Sequence, residues 1–387
     1  MDSGNAPDGR TSEAPPQGFL QRHGIKLVVS VALGAGVAWI MARGGLPLVP
    51  PKSTFSELRL WTIPVYVLML AVVHYFRAIR WRHLLRAVGQ VSLRSVIAVS
   101  WIAFGAILIS PLRSGEVVRP YLITKRSSIK LWEATGTIGA ERVIDGLVLS
   151  ILLFLGLRLS TPLSPLPDHV GKLPVPAAAV PGAVYTALTI FLVAFVVMGI
   201  FFFARDFARR VTFAVGRVIS HKLADRLAGI VERIADGLRF LPSPSHFVPF
   251  MAETMAYWLI NAASVWLLGW GCGLTGMTLA QATMVMGCVG IGILVPSGPG
   301  YFGAFQLSAY MALAMFFHED VLSGPGSAFV FLLYAVQVGF HIVAMGIGFL
   351  LDTAPRLPAL SAEVALEVAG ATSETASSDA HTARQTS

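Results

Sequence analysis

The chain has 387 residues, of which 55% are hydrophobic and only 13% are charged. That charge content is about half of the share found in soluble proteins, and the mean hydropathy is +0.69. These values exclude a soluble enzyme and a disordered or coiled-coil chain, which leaves a membrane protein. Several long apolar runs without an alternating pattern predict membrane helices rather than a β-barrel.

The few charges are biased toward basic residues, with 29 Lys and Arg against 21 Asp and Glu and a formal net charge of +8. In a membrane protein such an excess indicates topology and contact with anionic lipid. No interleaved basic and aromatic stripe favours a nucleic acid as partner. Cys272 and Cys288 lie in apolar sequence and are interpreted as packing residues. No ligand spacing typical of a metal site occurs, so no cofactor is expected.

The chain is predicted to be one membrane domain between two polar tails. Residues 1–23 and 353–387 are rich in small and polar residues, so both tails are predicted to be disordered. The apolar run 27–41 is followed by Arg43 rather than by a cleavage site, and we interpret it as a retained span. Within the transmembrane domain 24–352, the apolar segments of suitable length are 25–42, 60–77, 93–110, 134–157, 181–204, 247–271, 278–295, 301–317 and 327–351.

The basic residues predict which loops face the cytoplasm. Segments 77–94, 113–130 and 205–239 are strongly basic, whereas the other loops carry few charges. We therefore expect all three segments on the cytoplasmic side of the cytoplasmic (inner) membrane. Segment 93–110 lies between two of them, so it is predicted to enter the membrane and return as a re-entrant segment.

Two apolar segments end in similar breaks, one in each half of the chain. The run 93–110 is followed by Pro111-Leu112-Arg113-Ser114-Gly115, and the run 278–295 by Pro296-Ser297-Gly298-Pro299-Gly300. Interrupted helices at corresponding positions predict a transporter-type binding site and an inverted repeat, and the alternative is two ordinary interhelical turns. The predicted fold is an all-α polytopic membrane protein with about seven to nine membrane segments, including re-entrant or broken helices.

Segment 205–240 has a different pattern from the apolar runs. Its apolar residues recur at spacings of three and four, and Arg and Lys occupy the other faces. This pattern predicts an amphipathic cytoplasmic helical segment in the plane of the lipid headgroups. The alternative is a helix that packs on the cytoplasmic ends of the bundle.

The first candidate binding residues are Arg77 and Arg80, at the end of the second apolar run. They are three residues apart and share a helix face, beside the interfacial Trp81. Paired guanidinium groups are suited to phosphate binding. The alternative is an anchor that only sets topology.

The second group follows the first break and comprises Arg113, Gly115, Glu116 and Arg119. Gly115 allows the backbone to approach a ligand closely. Glu116 is predicted to orient one arginine by a charge-assisted bond, which leaves the other for a phosphate. The alternative is a solvated loop.

The third group, Glu141, Arg142 and Asp145, lies inside a predicted span. Charges within the membrane cost several kcal/mol unless they are paired or hydrated, so they indicate function by default. Glu141 and Asp145 share a helix face and require a cation, from Arg142 or the segment 113–119, or else a bound proton. The alternative is an ion-pair lock between helices.

The fourth group is the glycine-rich break 296–303. Its backbone N–H groups are predicted to receive an anion at the start of the following helix. Because the break lacks Gly-Lys-Ser/Thr, ATP binding is not supported. No catalytic motif occurs in the chain, so no enzymatic activity is expected. The candidate residues of this group are Pro296, Ser297, Gly298, Gly300, Gly303 and Gln306.

Taken together, these residues resemble the membrane region of the lysylphosphatidylglycerol synthetase (multiple peptide resistance factor) family, in its stand-alone, flippase-like form. The four matching motifs agree in order and spacing and cover residues 75–310 approximately. Two positions differ from the family pattern, because Gln306 stands where the family often has Glu, and Ser110 and its neighbours lack an Asn. The motifs are Phe76-Arg77-x-x-Arg80-Trp81-x-x-Leu84-Leu85, Pro111-x-Arg113-x-Gly115-Glu116-x-x-Arg119, Glu141-Arg142-x-x-Asp145 and Pro296-x-x-Pro299-Gly300-x-x-Gly303.

The resemblance implies a lipid flippase or lipid-binding transporter. Its cargo would be a phosphate-containing (glyco)lipid or an aminoacyl-phospholipid, and its partners anionic or phosphate-containing membrane lipids. Larger family members carry a soluble domain that transfers an amino acid from tRNA, and the residues after the last predicted span are too few for such a domain. The alternatives are an accessory subunit that presents a lipid carrier to a separate glycosyl- or aminoacyl-transferase, and a lipid-modifying membrane enzyme.

Overall fold

The computed structural model describes residues 19–56, 58–110, 115–170, 172–174, 177–203, 243–294 and 298–352. Nearly all regular structure in these residues is helical, as predicted, and a two-residue antiparallel pair joins His169–Val170 to Leu173–Pro174. In chain order the described helices are α1 (Phe19–Arg43), α2 (Thr62–Ile79), α3 (Trp81–Arg86), α4 (Leu93–Ile109), α5 (Val118–Thr124), α6 (Leu131–Leu159), α7 (Ala179–Phe203), α8 (Pro244–Gly271), α9 (Leu279–Gly292), α10 (Ala304–Ala314), α11 (Glu319–Ser323) and α12 (Pro325–Leu351).

Residues 30–352, apart from the gaps given above, belong to one compact unit. Helix α1 begins at Phe19, so residues 19–23 of the predicted N-terminal tail are helical. The predictions for the rest of that tail, for the amphipathic segment 205–240 and for the tail 353–387 lie outside the described residues.

Three of the described helices are long and apolar enough to cross a membrane, namely Thr62–Arg86, Ala179–Ile200 and Pro325–Leu351. Helices α4 and α9 are also apolar, but they have only 17 and 14 residues, whereas a span needs about 20 residues. These two short helices are the ones that precede the predicted breaks.

Helices α4 and α5 form a hairpin that begins and ends at the C-terminal end of α12. Before the hairpin turn, Arg94 Nε donates a hydrogen bond to the Leu351 carbonyl oxygen at 2.9 Å. After the turn, Arg126 Nε donates to Asp352 Oδ1 at 2.8 Å. Since α12 is long enough to cross a membrane and both ends of the hairpin lie at one end of it, the segment 93–126 is re-entrant.

Helices α9 and α10 form a second hairpin at the opposite end of α12. Met277, just before α9, packs with Phe329 of α12 around Gly269. Leu313, near the end of α10, packs against Gly326, which lies in the first turn of α12. The two hairpins therefore enter the bundle from opposite ends, as expected for an inverted arrangement of two halves.

The tips of both hairpins reach the middle of α12. At the first tip, Phe104 lies beside His74, with ring centroids 5.9 Å apart, and His74 in turn contacts His341 of α12. At the second tip, the Phe305 ring lies 5.3 Å from the ring of Tyr334, which is two turns before His341. The breaks thus converge at one depth, between the two ends of the bundle.

Candidate functional site

A cavity of about 320 Å³ lies where the two hairpin tips converge. The first tip contributes Ile107 and Glu116, and the second contributes Ile293 and Gly300. Most of the wall is apolar, which suits the acyl part of a lipid. The polar and charged side chains that line it come chiefly from α2, α6, α8 and α12 and are His74, Arg77, Arg142, Asp145, Ser150, Tyr257, Asn261, Gln337 and His341.

Arg77 presents a guanidinium group to this cavity. Its Cζ atom lies 4.4 Å from the centre of the Phe104 ring, so one face of the group is covered by a cation–π contact. Within the described residues the group makes no hydrogen bond or ion pair, which leaves its N–H donors for a ligand. A guanidinium has five such donors in a planar fork that matches phosphate oxygens.

Arg142 and Asp145 bring further charge to the cavity wall from α6. The Arg142 side chain is 37% exposed, and its Nη2 lies 3.5 Å from Glu141 Oε1. Its buried Nε atom has no hydrogen-bond partner among the described residues. Arg142 is therefore only partly neutralised, and it adds to the positive charge that Arg77 provides.

Arg80 belongs to a buried ion-pair network and not to the cavity. Its Nη1 and Nη2 donate to the two oxygens of Asp145, each at 2.6 Å, and Nη2 also donates to Glu141 Oε1 at 3.0 Å. Nη1 reaches Thr254 Oγ1 of α8 at 3.0 Å. The side chain is fully buried, and it lies at the junction of α2 and α3, where the backbone remains helical.

Arg119 completes the network from the first hairpin. Its Nη1 donates to both oxygens of Glu141, at 2.9 and 3.0 Å, and its Cζ lies 4.1 Å from the centre of the Trp81 ring. Tyr257 of α8 donates to Asp145 Oδ1 at 2.7 Å. Two arginines and two carboxylates thus balance in charge and connect the α2–α3 junction, α5, α6 and α8. Removal of one partner from such a buried set leaves an uncompensated charge.

These contacts divide the predicted site residues into two groups. Arg77, Glu116, Arg142, Asp145 and Gly300 line the cavity, whereas the guanidinium groups of Arg80 and Arg119 are committed to carboxylates. The predicted phosphate fork of Arg77 and Arg80 therefore does not form. The cations that Glu141 and Asp145 require come mainly from Arg80 and Arg119, and only weakly from Arg142.

The second break uses its own backbone donors. The Tyr301 and Phe302 N–H groups donate to the carbonyl oxygens of Gly298 and Pro299. The Gly303 N–H donates to the side-chain Oε1 of the buried Gln306 at 2.8 Å. These three N–H groups are occupied within the turn, so the predicted backbone anion site is not formed by them.

Glycines allow each break to pack closely. A Cβ atom on Gly115 would lie 2.6 Å from the backbone of Ala106, because the chain turns back directly against α4. In the second break, Gly303 has a φ of +91° and packs against Val37 of α1. Gly298 packs against Gly34, one turn earlier on α1. Arg113, Pro296 and Ser297 lie outside the described residues.

Several cavity residues were not predicted from the sequence, and the most notable are His74 and His341. Their Nε2 atoms lie 3.1 Å apart although 267 positions separate them in the chain. Tyr257, Asn261 and Gln337 were also missed. In the sequence each of them is a polar residue within an apolar run. Such a residue can be noticed, but the sequence does not show which other residue it contacts.

The family of the chain follows from comparison with known proteins. Residues 27–348 match the family described as "Lysylphosphatidylglycerol synthase TM region". The chain belongs to this family. It is accordingly a multi-pass membrane protein of a family named for lipid synthesis.

One curated relative of the chain is named "Glycosyltransferase AglD", from Haloferax volcanii. The two are 26% identical over 308 residues, which cover 75% of this chain and 49% of the relative. The chain thus spans about half of the length of the relative that it matches. No solved structure was found to match the chain.

Proposed function

We propose that this protein binds a phosphate-containing lipid in its central cavity and moves it between the leaflets of the cytoplasmic membrane. The observation that carries the proposal is Arg77, a guanidinium group without an ionic partner among the described residues, in an otherwise largely apolar cavity at the depth of both hairpin tips. An unpaired cation at such depth is costly, so it indicates an anionic ligand.

The two hairpins supply a plausible route for the lipid. One enters from each end of the bundle, and both tips line the cavity. Rearrangement of one hairpin at a time would open the cavity to one leaflet and then to the other, as in transporters built from broken helices. The buried network around Arg80 would remain fixed and hold α2, α6 and α8 in register while the tips move.

The test is transbilayer movement of fluorescent phosphatidylglycerol in liposomes that contain the purified protein. We expect the protein to accelerate this movement, Arg77→Ala to reduce the acceleration at least tenfold, and Arg77→Lys to restore part of it. Arg86→Ala is the matched control, because Arg86 is exposed and belongs to the same basic segment. Equal rates for Arg77→Ala and the wild-type protein would contradict the proposal.

A second candidate function is an accessory subunit that presents a lipid carrier to a separate transferase. It is favoured by the match to about half of a relative named as a glycosyltransferase. In that case the purified protein would bind the lipid without moving it, and its addition would raise the rate of the partner's transfer reaction. We propose no catalytic activity for this chain on its own, so the lipid should be recovered chemically unchanged.

The proposed orientation follows from the basic loops. The basic residues Arg82, Arg86 and Arg94 precede the first hairpin and Lys125, Arg126 and Lys130 lie at its end, so we propose that these residues and the strongly basic segment 205–239 face the cytoplasm. Other parts of the predicted cytoplasmic segments 77–94 and 113–130 lie inside the bundle, because Arg77 and Glu116 line the cavity and Arg80 and Arg119 are buried. The first hairpin would then open to the cytoplasmic leaflet and the second to the outer leaflet.

A further inference from the structure

His74 of α2 and His341 of α12 face each other on the wall of the cavity. Their Nε2 atoms are 3.1 Å apart, which is hydrogen-bonding distance. Each ring also uses its other nitrogen, since His74 Nδ1 lies 2.9 Å from the Leu70 carbonyl oxygen and His341 Nδ1 lies 2.7 Å from that of Gln337. The pair therefore forms a chain of three short polar contacts between two helices.

These three contacts require three protons. A carbonyl oxygen only accepts, so each Nδ1 must carry a proton, and the contact between the two Nε2 atoms needs one more. Two neutral imidazoles carry only two protons in total. Every arrangement of tautomers in the neutral pair therefore leaves at least one of the three contacts without a hydrogen bond, with two lone pairs facing each other. One additional proton removes that repulsion.

We infer that His74 and His341 form a proton-binding site that holds one proton between their Nε2 atoms, and that this proton is bound together with the anionic headgroup at Arg77. The second part rests on the proposed function. The histidine pair and Arg77 would then bind a proton and a phosphate group together. The positive charge of the protonated pair would attract the phosphate along with the guanidinium group.

The position of the pair supports this coupling. His74 is one helical turn before Arg77, and both side chains contact the Phe104 ring of the first hairpin. A proton on the pair places a second positive charge beside the unpaired guanidinium. A bound phosphate stabilises that proton, and by linkage the proton strengthens phosphate binding by the same factor.

The other ionisable groups of the cavity do not offer an equivalent site. The oxygens of Asp145 already accept hydrogen bonds from Arg80 and Tyr257, so they are occupied within the network. No third His, Cys, Asp or Glu within the described part of the chain joins the pair to form a metal site. The charged and titratable groups that line the same cavity besides the pair are Arg77 of α2, Glu116 of the first break, Arg142 and Asp145 of α6, Tyr257 of α8, Tyr301 of the second break and Tyr334 of α12.

The proton count is measured by nitrogen NMR on protein with ¹⁵N-labelled histidine in phosphatidylcholine bilayers. The signals of the pair are assigned by their loss in the variants His74→Gln and His341→Gln. The two substitutions lie in different helices, so the assignment is still possible if one variant misfolds. We expect three N–H protons on the four ring nitrogens at acidic pH, and two after the pH is raised, because burial and the nearby Arg77 cation both oppose the added charge. Two protons at every pH at which the protein is folded would overturn the site.

The coupling is measured as proton uptake when short-chain phosphatidylglycerol is added to the detergent-solubilised protein in weak buffer. The pH is set where the ligand-free pair is half protonated, and lipid binding is followed separately by calorimetry. We expect the wild-type protein to take up protons and His341→Gln to lose this uptake. His318→Asn should retain it, because His318 is exposed at the start of α11.

The two readouts separate the possible failures. Lipid binding without proton uptake would overturn the coupling and leave the proposed function intact. Failure of the wild-type protein to bind any phosphate-containing lipid would overturn the proposed function and the coupling together, whereas the proton count in bilayers would still decide whether the pair is a proton site.

Discussion

Arg80 binds Asp145 through two parallel hydrogen bonds of 2.6 Å, one to each carboxylate oxygen. The two residues come from the end of α2 and the middle of α6, and both are buried. Bidentate pairs of this kind fix geometry as well as charge. The pair therefore sets the position of α2 against α6, and with it the position of Arg77 and His74 on the cavity wall.

Replacement of Arg80 should destabilise the protein severely. Arg80→Ala leaves the carboxylates of Asp145 and Glu141 without their main cation, and loss of one partner of a buried ion pair typically costs about 3–5 kcal/mol. Arg80→Lys should recover only part of this, because an ammonium group cannot form the parallel pair of bonds. Thermal unfolding in detergent measures the effect, with Arg86→Ala as control. A wild-type melting temperature for Arg80→Ala would show that the network is not structural.

Gly115 should not tolerate a side chain. A Cβ atom there would lie 2.6 Å from the Ala106 carbonyl carbon and oxygen, and backbone atoms cannot give way as a flexible side chain can. We expect Gly115→Ala to cost about 1–3 kcal/mol, the usual range for overpacking. Gly139→Ala is the matched control, because a Cβ on Gly139 would have no neighbour within 4 Å. If both variants unfold at the same temperature, the close turn of the first hairpin is wrong.

The hairpins also predict which positions share a side of the membrane. Gln90 and Ser128 flank the first hairpin and are exposed, and Thr275 is exposed at the other end of the bundle. In a background without Cys272 and Cys288, cysteines at 90 and 128 should react with an impermeant reagent from the same side. A cysteine at 275 should react from the opposite side. Labelling of 90 and 128 from opposite sides would exclude the re-entrant fold.

The helices were predictable because their boundaries have clear physical causes. The segment predicted over 93–110 is observed as Leu93–Ile109, and that over 327–351 as Pro325–Leu351. Apolar runs end where charge, Pro or Gly makes continuation costly. The basic residues predicted a re-entrant segment over 93–110, but its bounds were wrong, because the returning arm of the hairpin includes Val118–Thr124 and Arg119 is buried rather than in a cytoplasmic loop.

The partners of the polar residues were less predictable. Arg80 follows Arg77 by three positions in a backbone that stays helical, yet Arg80 pairs with Asp145 and Glu141 while Arg77 faces the cavity. The His74–His341 contact joins two distant helices, and helical spacing carries no information on such a pair. A sequence pattern identifies costly charges, but tertiary packing decides which of them are neutralised.

Gln306 is a predicted site residue that the structure shows as a helix cap. Its Oε1 accepts the Gly303 N–H at 2.8 Å and so caps the first turn of α10. A protonated Gln306→Glu side chain offers the same acceptor without a buried charge, and we expect this variant to retain stability and lipid movement at acidic pH and to lose stability where the carboxyl ionises. Gln306→Leu leaves a buried N–H unpaired and should cost about 1–3 kcal/mol. Thermal unfolding and the liposome assay distinguish the two, and equal stability of the Leu variant would refute the cap.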